Sequence, residues 1–377
     1  MAIPTLHINP QLEASILAGH PWVYHNHLPQ HDLGTGEWVR VQAGKAVAYG
    51  LYDHNSTIAI RLFGREEPSA ATIAQKVYAA LEWRKEIFDH NTNAYRLISG
   101  ENDFLPGITV DKYERYAVLA TYADCLETIV PDVVKALSKS GFKGILRRDD
   151  NKELIALWGT LPPPELTILE NGLKIIANLY DGQKTGLFLD HRDNRALLER
   201  LTKDKSILNL FAYTGAFSLY AARGGASHIV SVDIAPAAMR DAARNFTLNG
   251  FDPSQHEFLP ADCFKLLEQY VQEGKQFDMV ILDPPSLAKS KDNRFAAARA
   301  YKKLNAMAIK CTRVGGLLAT ASCTSQISPE AFKDILLEAG GDCKRSVQIV
   351  QENGQAMDHP VTFFEGRYLK FMLARVG

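Results

Sequence analysis

Residues 206 to 222 read Ser-Ile-Leu-Asn-Leu-Phe-Ala-Tyr-Thr-Gly-Ala-Phe-Ser-Leu-Tyr-Ala-Ala, the longest stretch without Asp, Glu, Lys, Arg or His. Asn209, Tyr213, Thr214, Gly215 and Ser218 do not suit a lipid-facing helix. Ile207 to Leu210 instead predicts a buried strand, Phe211 to Gly215 a turn with one glycine, and the small residues beyond it a helix. Outward from this unit the alternation continues. A helix is expected at Asp190 to Leu201, strands at Ile229 to Asp233, Met279 to Asp283 and Leu317 to Ala321 with helices between them, and a final strand at Arg367 to Arg375. Strands alternating with helices predict a mainly parallel sheet covered on both faces, an α/β Rossmann-like domain.

Upstream the pattern differs. Ile168 to Leu179 predicts a hairpin on Asn171-Gly172, and Leu161-Pro162-Pro163-Pro164 is a stiff linker that places a boundary near residue 165. Residues 69–165 combine a helix at Ala70 to Phe88 with short strands and a helical Leu126 to Leu137, a small central α+β domain. Residues 1–68 alternate in short apolar runs between Gly34, Gly36 and Gly44, an N-terminal β barrel or sandwich. The chain thus divides as 1–68, 69–165 and 166–377, in keeping with 377 residues at roughly 150 per domain.

An apolar share of 46% and a charged share of 23% exclude disordered, collagen-like and membrane-spanning classes. With 42 basic and 43 acidic side chains the net charge is -1, so a nucleic-acid partner needs a local patch rather than a whole-molecule field. Met1 to Pro10 lacks the basic start and apolar run of a signal peptide. Five scattered cysteines without a CxxC pair suggest neither a disulfide framework nor a zinc site, and a reducing cytoplasm fits. His25, His27 and His31 have no acidic or cysteine ligand at matching spacing, so no metal is expected.

The residues following each strand carry the chemistry, because ligands in such sheets sit at the strands' carboxyl ends. Asn209-Leu210-Phe211-Ala212-Tyr213-Thr214-Gly215 lacks the GxGxxG needed to approach a pyrophosphate. Asp233 and Asp262 follow the second and third strands, where carboxylates accept ribose hydroxyls. Together these favour an adenosyl ligand without phosphates, of which S-adenosylmethionine is the common case. Asp283-Pro284-Pro285-Ser286 follows the fourth strand, with prolines fixing the backbone as an aspartate enters the cleft; Ser286 cannot stack on a base as the aromatic of amino-group methyltransferases does. Cys323, in Ala321-Ser322-Cys323-Thr324, ends the fifth strand and suits a nucleophile that adds to carbon-6 of a pyrimidine, activating carbon-5. Cys125, Cys311 and Cys343 fall away from the cleft; Cys263 is the rival. Between positions 289 and 313, Lys289, Lys291, Arg294, Arg299, Lys302, Lys303, Lys310 and Arg313 face one anion, Asp292, which favours phosphate contacts.

At these residues the chain resembles the bacterial PUA-domain ribosomal RNA methyltransferases that make 5-methylcytosine in the large subunit. Gly19-His20-Pro21-Trp22-Val23, Glu101-Asn102-Asp103-Phe104-Leu105-Pro106-Gly107, Asp358-His359-Pro360-Val361 and Glu365-Gly366-Arg367-Tyr368-Leu369-Lys370 look like the family's signatures. The run from Asp181 to Arg195 resembles the segment lining its cofactor pocket. The resemblance implies an S-adenosylmethionine enzyme acting on 23S RNA, with Gln183, Lys184, Thr185, Phe188, Asp190 and Arg192 joining Asn209, Phe211, Tyr213, Thr214, Gly215, Asp233, Asp262, Asp283 and Pro284 as cofactor contacts. It also implies a PUA-like N-terminal domain, a cytoplasmic setting and room for a homodimer. Ser322-Cys323-Thr324 departs mildly from the family's Ser-Cys-Ser.

In the mechanism this suggests, Asp283 accepts from a cytosine amino group, Cys323 adds, and Asp358 or His359 is the candidate base for the carbon-5 proton. The alternatives are a 5-methyluridine enzyme, an amino or ribose methyltransferase with a structural Cys323, and a non-catalytic PUA-type RNA-binding factor.

Overall fold

The computed structural model describes residues 3–149, 151–287 and 293–377. It divides into two compact units: Met1–Asn171 with Ala177–Leu189 and Met357–Gly366, and Gly172–Ile176 with Asp190–Ala356 and Arg367–Gly377.

The first unit contains two five-stranded sheets. In the first, Thr5–His7, Trp38–Ala43, Ala46–Tyr52, Ile58–Gly64 and Trp22–Tyr24 lie side by side in that order. Alternation along Trp38–Ala43 turns Val39, Val41 and Ala43 into the core and leaves Trp38, Arg40 and Gln42 partly exposed. The helix Ala70–Ile87 follows, started by a reciprocal cap between Ser69 and Thr72. The second sheet runs Leu154–Gly159, Gly144–Arg148, Tyr116–Thr121, Ile108–Tyr113, Ala94–Ser99. Its parallel pair, Tyr116–Thr121 and Gly144–Arg148, is joined through the helix Val130–Ser138. The expected helix from Leu126 is split: a 3-10 turn, Asp124–Thr128, precedes it, and Pro131 opens the α-helix proper, where its missing N–H costs nothing. At residues 171 and 172 the chain turns through Asn171 (φ 49°) and Gly172 (φ 82°), the left-handed pair that a tight hairpin turn requires.

The second unit is built on a seven-stranded sheet: β1 (Ser206–Leu210), β2 (His228–Asp233), β3 (Glu257–Pro260), β4 (Phe277–Leu282), β5 (Thr312–Ser322), β6 (Val347–Asn353) and β7 (Lys370–Val376), in the order β3-β2-β1-β4-β5-β7-β6. All neighbours are parallel except β7, antiparallel to β5 and β6. The covering helices are α1 (Arg192–Glu199), α2 (Ala216–Arg223), α3 (Pro236–Leu248), α4 (Cys263–Glu273), α5 (Arg294–Lys310) and α6 (Pro329–Asp342). The central strands are apolar on both faces: Leu208, Val280, Leu282 and Leu318 join Tyr301, Leu304, Phe332 and Leu336 in one core, and the alternating Ile207, Met279, Ile281 and Ala319 are buried on the other face. This is the Rossmann-like architecture expected. β5 is longer than expected. β6 is a strand the sequence reading missed, an edge strand that alternates half-buried and exposed residues without a strong apolar run.

Candidate active site

Ligand crevices in open parallel sheets form outside the strands' carboxyl ends where the strand order reverses. Here that point lies between β1 and β4, so the loops after them, Phe211 to Gly215 and Asp283 to Ser286, are the candidate walls.

The first loop is tightly constrained. Phe211 (φ 57°) and Tyr213 (φ 48°) are left-handed, a conformation costly for side-chain-bearing residues and kept where the surroundings enforce it. The enforcing bonds are Tyr213 N–H donating to Asp233 Oδ2 at 2.9 Å and Asn245 Nδ2 donating to the Thr214 carbonyl at 3.0 Å. Gly215, also left-handed, opens α2; a Cβ there would stand 2.9 Å from the Ala242 Cβ on α3, so glycine permits the approach.

Asp233 is buried at the end of β2, fixed by Tyr213 N–H and by Ala235 N–H at 3.0 Å, one on each oxygen, with a second lone pair left on each. Asp262 caps α4 through one oxygen, accepting from Phe264 N–H (2.8 Å) and Lys265 N–H (3.3 Å); its other oxygen has no protein partner among the described residues. The Thr214 hydroxyl is buried without a partner among them. Spare acceptors at two successive strand ends beside an orphaned hydroxyl, with no phosphate-binding glycines, fit an adenosyl group.

Several expected cofactor residues also have protein partners of their own. Asn209 is buried, donating to Ser218 Oγ at 2.8 Å, which pairs with Ser231 Oγ at 2.7 Å, and so links β1, α2 and β2. Phe211 stands edge-on to Phe264 at 5.9 Å. Asp190 is buried, one oxygen accepting from Tyr368 Oη at 2.8 Å, and Arg192 is buried beside it in sequence. Gln183, Lys184, Thr185 and Phe188 belong to the first unit. There Thr185 bonds Asp111 (2.6 Å) and Tyr113 Oη (2.8 Å), and the Lys184 amine stands 4.4 Å over the Phe188 ring.

Asp283 and Cys323 come from adjacent strands. β4 and β5 run parallel with Leu282 opposite Thr320, so the two side chains leave the same end of the sheet, Cys323 slightly farther out. Both are half-buried, between the buried residues Leu282 and Pro284 and the buried residues Ser322 and Thr324. On α5 the Tyr301 phenol faces Ser322 and feels both Cys323 and Asp283; burial chiefly, then those two groups, push it up to about 12. Three other thiols are buried. Burial raises Cys125 and Cys263 to about 12 and Cys311 to about 11, and Cys263 Sγ accepts from Phe211 N–H at 3.2 Å. A thiol so raised is not a nucleophile at neutral pH.

Two residues absent from the expected site stand beside it. His191 is buried, with Nε2 3.3 Å from Asp283 Oδ2. Lys370, opposite Ser322 in the sheet, buries an amine that donates to the Thr324 and Tyr368 carbonyls; burial lowers it to about 8, and Cys323 partly counters that shift. Both lie within quoted signature segments, but a signature does not tell which of its residues touch the chemistry.

Asp358 and His359 are buried in the first unit; Asp358 accepts from Arg96 N–H (2.7 Å) through one oxygen and faces His359 Nδ1 (3.1 Å) through the other, while its carbonyl accepts from Arg84 (2.8 Å). Through its two oxygens Asp358 ties this loop to the Arg96 backbone and to the His359 ring. Part of the basic run is paired with carboxylates. Lys302 pairs with Glu338 and Asp342, Lys303 with Glu268 and Arg313 with Asp278, leaving fewer cations for phosphates than the sequence suggests. Lys289 and Lys291 lie outside the described residues.

A family of S-adenosylmethionine-dependent methyltransferases matches residues 118–363, and a PUA-like domain matches residues 6–65. The chain is 39% identical to ribosomal RNA large subunit methyltransferase I of Shewanella denitrificans over 98% of each chain, and 35% identical to that of Klebsiella pneumoniae over 99% of this chain and 98% of that one. The chain belongs to the S-adenosylmethionine-dependent methyltransferase family. S-adenosylmethionine is accordingly this methyltransferase's cofactor. Its fold is shared with a methyltransferase solved in complex with SAH, at TM-score 0.89 and 24% identity over 99% of this chain and 100% of that one. A methyltransferase from Streptococcus mutans gives TM-score 0.87 at 23% identity, with the same coverage. Among the described residues no helix is long and apolar enough to cross a membrane.

Proposed function

We propose that this methyltransferase modifies carbon-5 of a cytosine in large-subunit (23S) ribosomal RNA through a covalent Cys323 adduct. The observation that carries the reading is the half-buried thiol and half-buried carboxylate leaving adjacent strand ends at one buried phenol, Tyr301. The relatives' substrate, large-subunit ribosomal RNA, and the PUA-like domain support ribosomal RNA as the class of partner.

Thr214, Asp233, Asp262 and Pro284 would hold S-adenosylmethionine, which supplies an electrophilic methyl group. A base must leave its stack to enter, at lowest cost from a loop or single strand. Asp283 accepts from the cytosine amino group, which selects against the O4 of uracil. The Cys323 thiolate adds to carbon-6, and the broken double bond's electron pair moves to carbon-5, which takes the methyl group. A base then removes the carbon-5 proton, the double bond re-forms and the carbon–sulfur bond breaks. Lys370 places a buried ammonium within electrostatic reach of that thiol, favouring the thiolate.

Cys323→Ala should abolish turnover while S-adenosylmethionine affinity, measured by calorimetry, stays within about twofold. Digestion of the modified RNA to nucleosides and mass spectrometry should give 5-methylcytosine; retained methylation in the variant, or 5-methyluridine as product, sinks the reading.

A further inference from the structure

His191 enters neither the cofactor cradle nor the covalent step, yet its imidazole is 97% buried at the sheet's working end. Its ring lies edge-on to Phe217 at 5.4 Å and Phe371 at 6.2 Å, which fixes its plane. Nε2 faces Asp283 Oδ2 at 3.3 Å and Nδ1 faces Asn194 Nδ2 at 3.2 Å.

The hydrogens on this chain follow from one backbone group. Asn194 Nδ2 also lies 3.2 Å from the Gly354 carbonyl, which can only accept, so that atom is the amide nitrogen. Asn194 Oδ1 accepts from Asn353 Nδ2 at 3.1 Å, and Asn353 Oδ1 in turn accepts from Gln351 Nε2 at 2.9 Å, so each amide has one consistent orientation. An amide N–H₂ facing His191 Nδ1 requires that nitrogen to be the bare acceptor. The proton therefore sits on Nε2, the nitrogen that faces Asp283 Oδ2 at 3.3 Å. The opposite tautomer would set N–H against N–H₂ and a lone pair against a carboxylate, and a doubly protonated ring would still clash with Asn194. Asp283 Oδ2 thus faces the imidazole N–H, while among the described residues no hydrogen bond or ion pair engages Oδ1.

We propose that His191, locked in its Nε2–H tautomer by Asn194, is a positioning residue that orients Asp283 with one oxygen presented to the exocyclic amino group of the target base. The proposal rests on the cytosine reading above. It assigns base selection to a four-residue relay, Asn353, Asn194, His191 and Asp283, of which only the last touches substrate.

The test pairs a catalytic and a non-catalytic readout. With unmodified large-subunit RNA transcribed in vitro, His191→Leu should lower kcat at least tenfold and raise the share of 5-methyluridine among products, with melting temperature and S-adenosylmethionine affinity near those of the parent. His191→Gln, whose amide can donate to Asp283, should recover most of kcat. Long-range 1H–15N NMR of histidine-labelled protein should show the His191 signal, assigned by its loss in His191→Gln, as the Nε2–H tautomer, with mixed tautomers in Asn194→Ala. An Nδ1–H or doubly protonated ring, a kcat within twofold in His191→Leu, or a Gln variant as impaired as Leu overturns the proposal. Absence of any 5-methylcytosine from the parent enzyme overturns the cytosine reading instead, and the NMR result identifies which of the two has failed.

Discussion

Lys370 pits a folding cost against reactivity. Its amine is held by two carbonyls and lowered to about 8 from an ordinary 10.5. Between those values the unfolded chain still binds a proton that the folded chain has released, so stability rises with pH across that window. Melting temperatures from pH 8 to 10 should therefore climb more steeply in the parent than in Lys370→Met. The same variant should slow alkylation of Cys323 by iodoacetamide at pH 7.5 several-fold, followed by peptide mass spectrometry. In the parent, Cys323 should react well before Cys125, Cys263 and Cys311, which burial raises to about 12, 12 and 11. At this scale Asp233, Asp262, Asp283 and Cys323 were legible because each follows a predicted strand, and strand ends are where such sheets expose chemistry. His191 and Lys370 were not, because pairing across the sheet and tautomer geometry have no signature in linear spacing.

Among elements, the segment from Glu101 to Gly107 shows what a family signature can encode. Glu101 accepts from the Trp22 indole at 3.0 Å, Asn102 accepts from Thr362 N–H at 3.0 Å, and Asp103 makes a bidentate pair with the fully buried Arg84 at 2.6 and 2.7 Å. Two signature runs that looked like separate functional marks are thus hydrogen-bonded to each other inside the first unit, and the second also holds Thr362, just past the Asp358 to Val361 run. Asp103→Ala would strand a buried guanidinium and should cost about 3–5 kcal/mol in urea unfolding, while Asp103→Asn, which keeps one acceptor, should cost less. Element types were readable from apolar period. The Leu126 helix was misjudged because Pro131 resets its start, and β6 because an edge strand needs no continuous apolar run.

For the whole molecule, a net charge of -1 means that RNA is gripped locally or weakly. The cations of α5 are the obvious candidates by sequence, and side-chain pairing, invisible in composition, reassigns several of them. Lys303→Gln should leave RNA affinity within about twofold, measured by filter binding at fixed salt, because Lys303 is already paired with Glu268 at 2.6 Å. A drop of tenfold or more would return the helix to the RNA-binding surface.

The interleaving of the two units bears on how the protein is made. The first unit recruits Met357–Gly366 and the second takes β7 from the segment immediately after it. A ribosome synthesising this chain must therefore release almost all of it before either unit can close, and a nascent fragment stopped at the triple proline is left waiting for partners not yet translated.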